Sequence, residues 1–385
     1  MKKIFTLILT AFLSIQICAV AQEVATQPAQ NPVEQTDTAQ QPKKNTLQKV
    51  LGVFSDVKVH GLGVMQYNYE SRDNTNSFLL RYVRLSLEGR IFKDFFWKIQ
   101  GQINGNTNNL GSSPRLLDVF VEWQRFSFVK IKVGQYKRPF TFENPLHPVD
   151  QGFMSYSQGV TKLAGMSDRV GEHASNGRDI GIQVQGDFLR DGKGRNLVHY
   201  EVGVFNGQGI NTKDTDKKKD LIGGFWVMPV EGLRIGASGW LGTYTRADVT
   251  LDRKRWAFSA EYAAKGWTAR AEYIGSKGYG FKTVYQKPAD ATDTTVDYEA
   301  GDRADAFYAM VIAPVIKDHF YLKARYDLYR PRLNGATSRT LYEIGADYEF
   351  YKKRLKISAE YARVQDNSYA QPGSNIFDVQ FSFRF

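Results

Sequence analysis

Cysteine is nearly absent from this chain of 385 residues, and the single one, Cys18, lies close to the N-terminus. If that segment is removed on export, the remaining chain has no thiol, which excludes disulfides and thiolate chemistry. Mean hydropathy is also low. Beyond the N-terminus, no run reaches the 18 or more apolar residues that a membrane helix needs. The composition therefore excludes a disulfide-rich fold and a bundle of membrane helices.

Histidine is also scarce, and its spacing matches no metal-ligand pattern. The five histidines are His60, His147, His173, His199 and His319. For a lipase-like Ser/His pair, the only faint candidate is His199, near Glu201. The glycines of 275–280 are not followed by a helical pattern, so they do not predict a phosphate loop. The sequence thus predicts neither an enzyme nor a cofactor. The basic run 217–219 is interleaved with aspartates, which predicts a solvated loop tip and no nucleic-acid partner.

The N-terminus has the three parts of a secretory signal peptide. Lys2 and Lys3 form a basic start, residues 4–17 are apolar, and 19–21 read Ala-Val-Ala. We therefore predict a signal peptide over residues 1–21, and its removal lowers the net charge from +11 to +9. A membrane anchor is the alternative, but the apolar run is short. Cys18 suggests a lipoprotein, but the residues that precede it form a poor lipobox.

Two further regions follow the predicted signal peptide. Residues 22 to about 50 are rich in Gln, Thr, Pro and Ala and show no strand alternation, so we predict a disordered or periplasmic spacer over residues 22–56. They are too few for the plug domain of an active transporter. Residues 57–385 are dominated by period-two alternation in segments of about ten residues, as expected for strands with one apolar and one polar face.

The alternation predicts an all-β chain with about sixteen antiparallel strands. The predicted strands are 57–69, 78–91, 96–105, 116–125, 128–136, 179–187, 197–206, 221–229, 233–243, 255–264, 267–276, 304–314, 320–328, 340–349, 355–363 and 377–385. The segment 221–229 alternates least clearly. A soluble β-sandwich would alternate in the same way, but the strand number, uniform segment length and signal peptide favour a transmembrane β-barrel.

Connections between the predicted strands alternate between short and long. Turns such as 92–95 and 265–266 are short, whereas 106–115, 137–178 and 277–303 are long. Outer-membrane barrels have short periplasmic turns and long extracellular loops. Sixteen strands leave a water-filled channel, and a closed barrel leaves no backbone group unpaired in lipid. Counting every connection on the long-loop rim, residues 137–178 form the third, and we expect this third loop to fold into the lumen.

Four segments resemble motifs of the phosphate-selective porin O and P family. They are Val133-Gly134-Gln135-Tyr136-Lys137-Arg138-Pro139-Phe140, Gly177-Arg178-Asp179-Ile180-Gly181-Ile182-Gln183, Tyr200-Glu201-Val202-Gly203-Val204-Phe205-Asn206-Gly207 and Leu80-Arg81-Tyr82-Val83-Arg84-Leu85-Ser86-Leu87-Glu88-Gly89. The resemblance implies a sixteen-stranded homotrimeric porin of the Gram-negative outer membrane. It also implies that the third loop forms the constriction. Lys137 occupies the lysine position of the family's strand-end motif.

Anion and phosphate pores are lined by Arg and Lys, and arginine binds phosphate through a planar fork of donors. The predicted anion-binding residues at the constriction are Lys137, Arg138, Arg178, Arg84, Arg169 and Lys162. Each has an alternative role. The residues at the loop ends could pair with Glu143 or Asp179, Arg84 with Glu88 or Asp118, and the mid-loop pair with Asp168 or Glu172.

Function is predicted with alternatives left open. The leading hypothesis is a passive diffusion channel that prefers anions such as phosphate or other oxyanions, with membrane lipid and lipopolysaccharide as further partners. The predicted lumen faces carry about a dozen basic residues and a similar number of acidic ones, so a general or sugar porin is the second hypothesis. The third is a non-conducting outer-membrane barrel that serves as a scaffold or adhesin.

Overall fold

The computed structural model describes residues 53–104, 114–171, 175–214, 216–246, 249–278, 280–286, 294–299, 302–333, 335–351 and 354–385. The predicted signal peptide and most of the predicted spacer lie outside these residues, as does His173. Among the described residues, no helix is long and apolar enough to cross a membrane.

Sixteen antiparallel strands form one closed barrel. They are β1 (Phe54–Glu70), β2 (Thr75–Ile91), β3 (Phe95–Gln102), β4 (Arg115–Trp123), β5 (Lys130–Lys137), β6 (Arg178–Arg190), β7 (Asn196–Phe205), β8 (Asp220–Val227), β9 (Leu233–Arg246), β10 (Val249–Ala264), β11 (Trp267–Lys277), β14 (Arg303–Ile316), β15 (Phe320–Arg330), β16 (Arg339–Tyr351), β17 (Leu355–Asp366) and β18 (Gly373–Arg384). A separate hairpin of β12 (Gly280–Gln286) and β13 (Thr294–Glu299) lies between β11 and β14 in the chain. The predicted fold class and strand number are confirmed.

The barrel closes where the first strand meets the last. β1 pairs with β18 from Leu62 opposite Arg384 to Glu70 opposite Ile376. Gly61 and Phe385 then exchange two backbone hydrogen bonds of 3.1 Å. Gly61 must lack a side chain, because a Cβ there would lie 2.2 Å from the ring of Phe385. Closure leaves no unpaired strand edge, whose backbone groups would lack hydrogen-bond partners in lipid.

Side chains alternate between the lipid-facing and lumen-facing sides as the sequence pattern predicts. Leu85 faces outward and is 43% exposed, whereas its neighbour Arg84 faces inward and is 4% exposed. On the outer face, the rings of Phe307, Tyr326 and Tyr342 follow one another across three strands, with centroids 6.3 and 5.6 Å apart. Aromatic rows of this kind are typical of the membrane interface.

Two predicted connections differ from the observed ones. Strands β9 and β10 extend to Arg246 and from Val249, so most of the predicted eleven-residue gap between 243 and 255 belongs to these two strands. The predicted long loop 277–303 contains the β12–β13 hairpin. The first strand also begins at Phe54, three residues before the predicted start. Strand ends beyond the membrane are solvated on both faces, so hydrophobic alternation fades there and the sequence underestimates their length.

The connection between β5 and β6 lies inside the barrel. It contains helix α1 (Gln158–Leu163), which begins after Ser157, whose side chain accepts a hydrogen bond from the backbone N–H of Val160. Apolar loop residues pack on the lumen side of the wall in a fully buried cluster. This cluster includes Phe140, Val160, Leu163, Ala164, Met166, Trp240, Ala257, Ile274 and Ala306. Since burial of such side chains contributes roughly 1.5–3 kcal/mol each, the loop is a fixed part of the lumen.

Candidate functional site

Charged side chains of the barrel wall hold the backbone of the inward loop. Four cations on β10, β11 and β15 donate hydrogen bonds to loop carbonyls. These are Arg255 to Leu163 at 2.8 Å, Arg270 to Gln151 at 2.8 Å, Lys323 to Gly152 at 3.0 Å and Arg325 to Ser155 at 2.9 Å. Hydrogen bonds that involve a charged group contribute about 1.5–3 kcal/mol each. These cations therefore anchor the loop and are not free to bind a solute.

Carboxylates of the same wall accept hydrogen bonds from loop N–H groups. Glu360 accepts from Met154 at 2.8 Å, and Asp327 accepts from Gln158 at 2.8 Å. Glu272 accepts from the N–H groups of Phe142 and Glu143. The sequence shows similar numbers of inward acids and bases, and the structure explains much of that balance: one side of the wall uses both signs of charge to position the loop.

Three buried arginine–aspartate pairs surround Trp240, with each guanidinium carbon 4.4 to 4.9 Å from the indole ring. Arg138 pairs with Asp179 at 2.9 Å, Arg253 with Asp220 at 3.2 Å, and Arg255 with Asp168 at 2.5 Å. Both Asp168 oxygens bind Arg255, which joins the loop to β10.

Asp168 stays ionised throughout the physiological pH range. Burial raises the pKa of Asp168, but the charges of Arg255 and Arg253 lower it by more, so the pKa is about 2. A carboxyl with a lowered pKa contributes its full stabilisation above its ordinary value, and that contribution is lost as the pH falls through about 2. The Asp168–Arg255 pair therefore holds the loop at any pH that an outer envelope normally meets.

Arg138, predicted as an anion-binding residue, is fully buried in this group of pairs. Its placement favours the alternative that the sequence left open, an ion pair with Asp179. We expect Arg138→Met to leave the ion selectivity of the channel unchanged but to lower its resistance to thermal unfolding, because breaking a buried pair costs about 3–5 kcal/mol. The zero-current potential and the melting temperature of the same preparation test this. A loss of selectivity at unchanged stability would contradict it.

Three other predicted residues lie together on the opposite wall, formed by β2 to β6. Arg178 stands opposite Lys137 in the β5–β6 register and binds Asp118 through Nε at 2.6 Å and Nη2 at 3.1 Å. Arg84 donates to Gln102 at 3.0 Å, and its guanidinium lies 4.1 Å from the ring of Tyr82.

Lys137 fixes the start of the loop. Its ammonium donates to the carbonyls of Asn144 and Leu146, at 2.7 and 2.6 Å, and to the hydroxyl of Tyr156 at 2.8 Å. Burial raises the pKa of Tyr156 above its ordinary value, so the phenol keeps its proton and donates it to Leu146. The ammonium thus brings a positive charge beside Tyr156 without a carboxylate in direct contact.

Sequence reasoning missed two cations of this wall, Arg81 and Arg115. Arg81 is the extra residue of a β-bulge, because Val64 pairs with Tyr82 and Met65 with Leu80. A bulge redirects a side chain, and Arg81 points inward to Gln66 at 2.7 Å and to the loop at Ser155 Oγ, 3.2 Å away. Simple alternation places it on the outer face. Arg115 begins β4 and shares a level with Gln102 and Arg84 across three strands.

We call Arg81, Arg84, Arg115, Lys137 and Arg178 the basic cluster. In the described part of the chain, Arg81, Arg84 and Lys137 have no ion pair with a carboxylate. Asp118 neutralises Arg178. Ser155 and Tyr156 of the loop are hydrogen-bonded to Arg81 and Lys137 of the cluster. The arrangement gathers positive charge and several hydrogen-bond donors where the loop meets this wall.

The two remaining predicted residues, Lys162 and Arg169, lie elsewhere. Both line a cavity of about 1000 Å³ between the loop and strands β15 to β18, which we call the vestibule. Arg169 donates to the carbonyls of Gly278 at 3.0 Å and Pro331 at 3.3 Å, whereas Lys162 is exposed. Ser155 and Tyr156, which are hydrogen-bonded to the basic cluster, also line the vestibule.

Near Asp150 the inward loop approaches the last strand, β18. Asp150 accepts from Arg384 at 2.9 Å and lies 3.9 Å from His147 Nδ1. Burial lowers the pKa of His147 to about 4, so the imidazole is neutral at pH 7 and adds no cation to the lumen. Among the described residues, no group of three or more His, Cys, Asp and Glu side chains could hold a metal ion.

A closed sixteen-stranded barrel with a polar interior, an apolar exterior and an inward loop is the architecture of an outer-membrane porin. Residues 60–223 match the family model described as "Phosphate-selective porin O and P". This match confirms the resemblance for the segment that holds the basic cluster and the inward loop. The protein is thus a porin of the Gram-negative outer membrane. Comparison with curated protein sequences gave no significant match.

Solved structures share the fold at low sequence identity. The anion-selective porin from Comamonas acidovorans is 14% identical, with a TM-score of 0.60 over 86% of this chain and 99% of that one. OmpF of Salmonella typhi, solved with daunomycin, gives the same identity and TM-score over 86% and 97%. The trimer form of OmpT from Vibrio cholerae is 13% identical, with a TM-score of 0.57 over 86% and 99%.

Proposed function

We propose that this porin conducts small anions in preference to cations, and that phosphate and related oxyanions are among its favoured solutes. The observation that carries the proposal is the basic cluster, in which Arg81, Arg84 and Lys137 have no ion pair with a carboxylate in the part of the chain that the structure describes. A unit charge beside a narrow aqueous path contributes about 1 kcal/mol at 4 Å even when water screens it fully.

The geometry of the cluster suits an oxyanion. Arg84 has one Nε bond to Gln102, which leaves its two Nη groups to bind an anion through the planar fork. Tyr82 supports the guanidinium from one face. Binding must remain weak enough for release, and the opposing loop surface of Ser155 and Tyr156 offers only hydroxyl groups. Arg84 is therefore proposed to bind the anion, together with Arg81 and Arg115. Lys137 and Arg178, whose donors are bonded to the loop and to Asp118, are proposed as constriction residues that hold its shape.

We further infer that the channel is a homotrimer in the outer membrane. A structural neighbour has been described in a trimer form, and the family resemblance implies the same assembly. Basic residues on the long-loop rim would contact anionic lipopolysaccharide. Arg72 is an example, since it is placed on a connection at that rim.

A general porin without strong anion preference is the second candidate, and one observation favours it. Most inward charges of β10 to β17 are bound to the loop or to each other. They add little net field, so the basic cluster alone would have to select anions.

Phosphate block of the chloride current in planar bilayers tests the proposed substrate class. We expect phosphate to reduce the current in the wild-type channel. In Arg84→Lys, which keeps the charge and loses the fork, the half-blocking concentration should rise about fivefold, the equivalent of about 1 kcal/mol. Lys254→Gln is the matched control, because that side chain is 54% exposed and paired with Asp252.

Each outcome of this titration is informative. Equal block in wild type and Arg84→Lys would show that the fork does not bind phosphate. Absence of block in the wild type would favour the general porin. Absence of any conductance would contradict both porin hypotheses and favour the non-conducting scaffold.

A further inference from the structure

The vestibule combines free positive charge with an apolar surface. Six carboxylates line it, and each one already has a donor in the protein. They are Asp168 with Arg255, Asp327 with Gln158, Glu343 with Arg325, Glu360 with Lys323, Asp366 with Ser368, and Asp378 with Gln66. Lys162 and Arg332 also line it and are exposed. Within the described residues, neither of these two side chains has a hydrogen bond or an ion pair.

Four of these carboxylates lie beside a basic residue: Asp168, Glu343, Glu360 and Asp366, with Arg255, Arg325, Lys323 and Arg339. Asp327 and Asp378 are bonded to neutral donors, which do not cancel a charge, but Asp327 is only 1% exposed. The exposed charges that a solute meets are therefore mainly those of Lys162 and Arg332. Lys162 on the helix and Arg332 on the β15–β16 connection are the cations left for a solute, and the Lys162 stem extends from a loop that the wall holds in place.

One patch of the vestibule wall is apolar, whereas a porin lumen is usually polar. Leu341 pairs with Val364, and Ala362 pairs with Ile376, on three neighbouring strands. These four side chains form one cluster on the inward face. Three of them line the vestibule, together with the ring of Tyr329. Leu341 and Ala362 are largely covered by their neighbours, at 8% and 7% exposure, and Ile376 is partly buried. A solute with an apolar body would contact the part of this patch that remains open to the cavity.

We propose that the vestibule binds small organic anions with an apolar body, of the aromatic carboxylate class, before they pass the constriction. The carboxylate would lie at Lys162 and Arg332, and the apolar body against Leu341, Ala362 and Ile376. The cavity, at about 1000 Å³, is within the size range of pockets that bind small molecules. This inference rests on the proposed anion preference and adds a substrate class that the basic cluster does not select.

Competition between two monocarboxylates tests this proposal. Benzoate and acetate carry the same charge and differ in their apolar body. We expect benzoate to half-block the chloride current at a concentration about tenfold lower than acetate, the equivalent of about 1.4 kcal/mol. Leu341→Gln keeps the size of the side chain, and it should abolish that difference. Ile376→Gln is a second variant, in case the first does not insert as a channel of wild-type conductance.

Lys162→Gln and Arg332→Gln separate charge from apolar contact. Each should weaken block by both anions to the same extent, whereas Leu341→Gln should weaken block by benzoate alone. Equal block by benzoate and acetate in the wild type would overturn the proposal. So would a benzoate preference that survives both Leu341→Gln and Ile376→Gln.

The zero-current potential of the same channels keeps the two proposals apart. An anion preference without a benzoate effect overturns only the vestibule site. A cation preference overturns the proposed function, and with it the basis of the vestibule proposal.

Discussion

Replacing Arg81 and Arg84 together by Gln is expected to lower the chloride-over-potassium permeability ratio at least about fivefold. In the described structure, neither side chain has a carboxylate within ion-pair distance. Gln keeps a hydrogen-bonding side chain in the lumen, so the strands should form normally. The ratio follows from the zero-current potential in a salt gradient. Raising the salt concentration should shrink the difference between variant and wild type, because mobile ions screen exposed charges.

Two controls make this prediction specific. Lys254→Gln removes one positive charge from an exposed position and should leave the ratio unchanged. Arg81→Gln alone also removes the contact to Ser155, so it should raise the single-channel conductance as well as lower the selectivity. If the double variant keeps the wild-type ratio, the basic cluster is not the selectivity filter.

Asp168→Asn is expected to loosen the inward loop. The substitution leaves Arg255 buried without its partner, and breaking such a pair costs about 3–5 kcal/mol. The barrel itself is closed by backbone hydrogen bonds that do not involve Asp168, so the strands should remain intact. We therefore expect single channels of variable and higher conductance, and cleavage within the loop at protease concentrations that leave the wild type intact.

Asp150→Asn is the matched control for this prediction. It makes the same chemical change in the same loop, but Asp150 is about one third exposed, and its partner Arg384 is similarly exposed. Exposed pairs contribute about 0–1 kcal/mol. Similar conductance and cleavage in the two variants would show that the Asp168 pair does not hold the loop.

Backbone architecture was predictable from the sequence because one physical rule governs nearly every strand. Lipid requires an apolar outer face and water a polar inner one, so residues such as Leu85 and Arg84 alternate. Loop lengths indicated the third loop of the long-loop rim, and the two family motifs that contain Lys137 and Arg178 lie at its two ends. Those two residues and Arg84 lie on one wall because their strands are close neighbours in the barrel.

Most partners of the cations were not predictable, because they depend on contacts across the barrel. Asp179 was one of two partners that the sequence offered Arg138, but nothing near Arg138 in sequence indicates that Trp240 lies beside it. Arg81 was missed because a bulge shifts the alternation by one residue, and a single sequence does not mark where a bulge occurs. The vestibule arises from the meeting of a loop helix with the last four strands, which are more than 150 residues away.

The zero-current potential of the wild-type channel in a potassium chloride gradient tests the central claim most directly. Membranes with the purified porin should show a potential whose sign reports faster chloride than potassium movement, and the Arg81→Gln, Arg84→Gln double variant should bring it closer to zero. A wild-type potential of the opposite sign, which reports preference for potassium, would contradict the account.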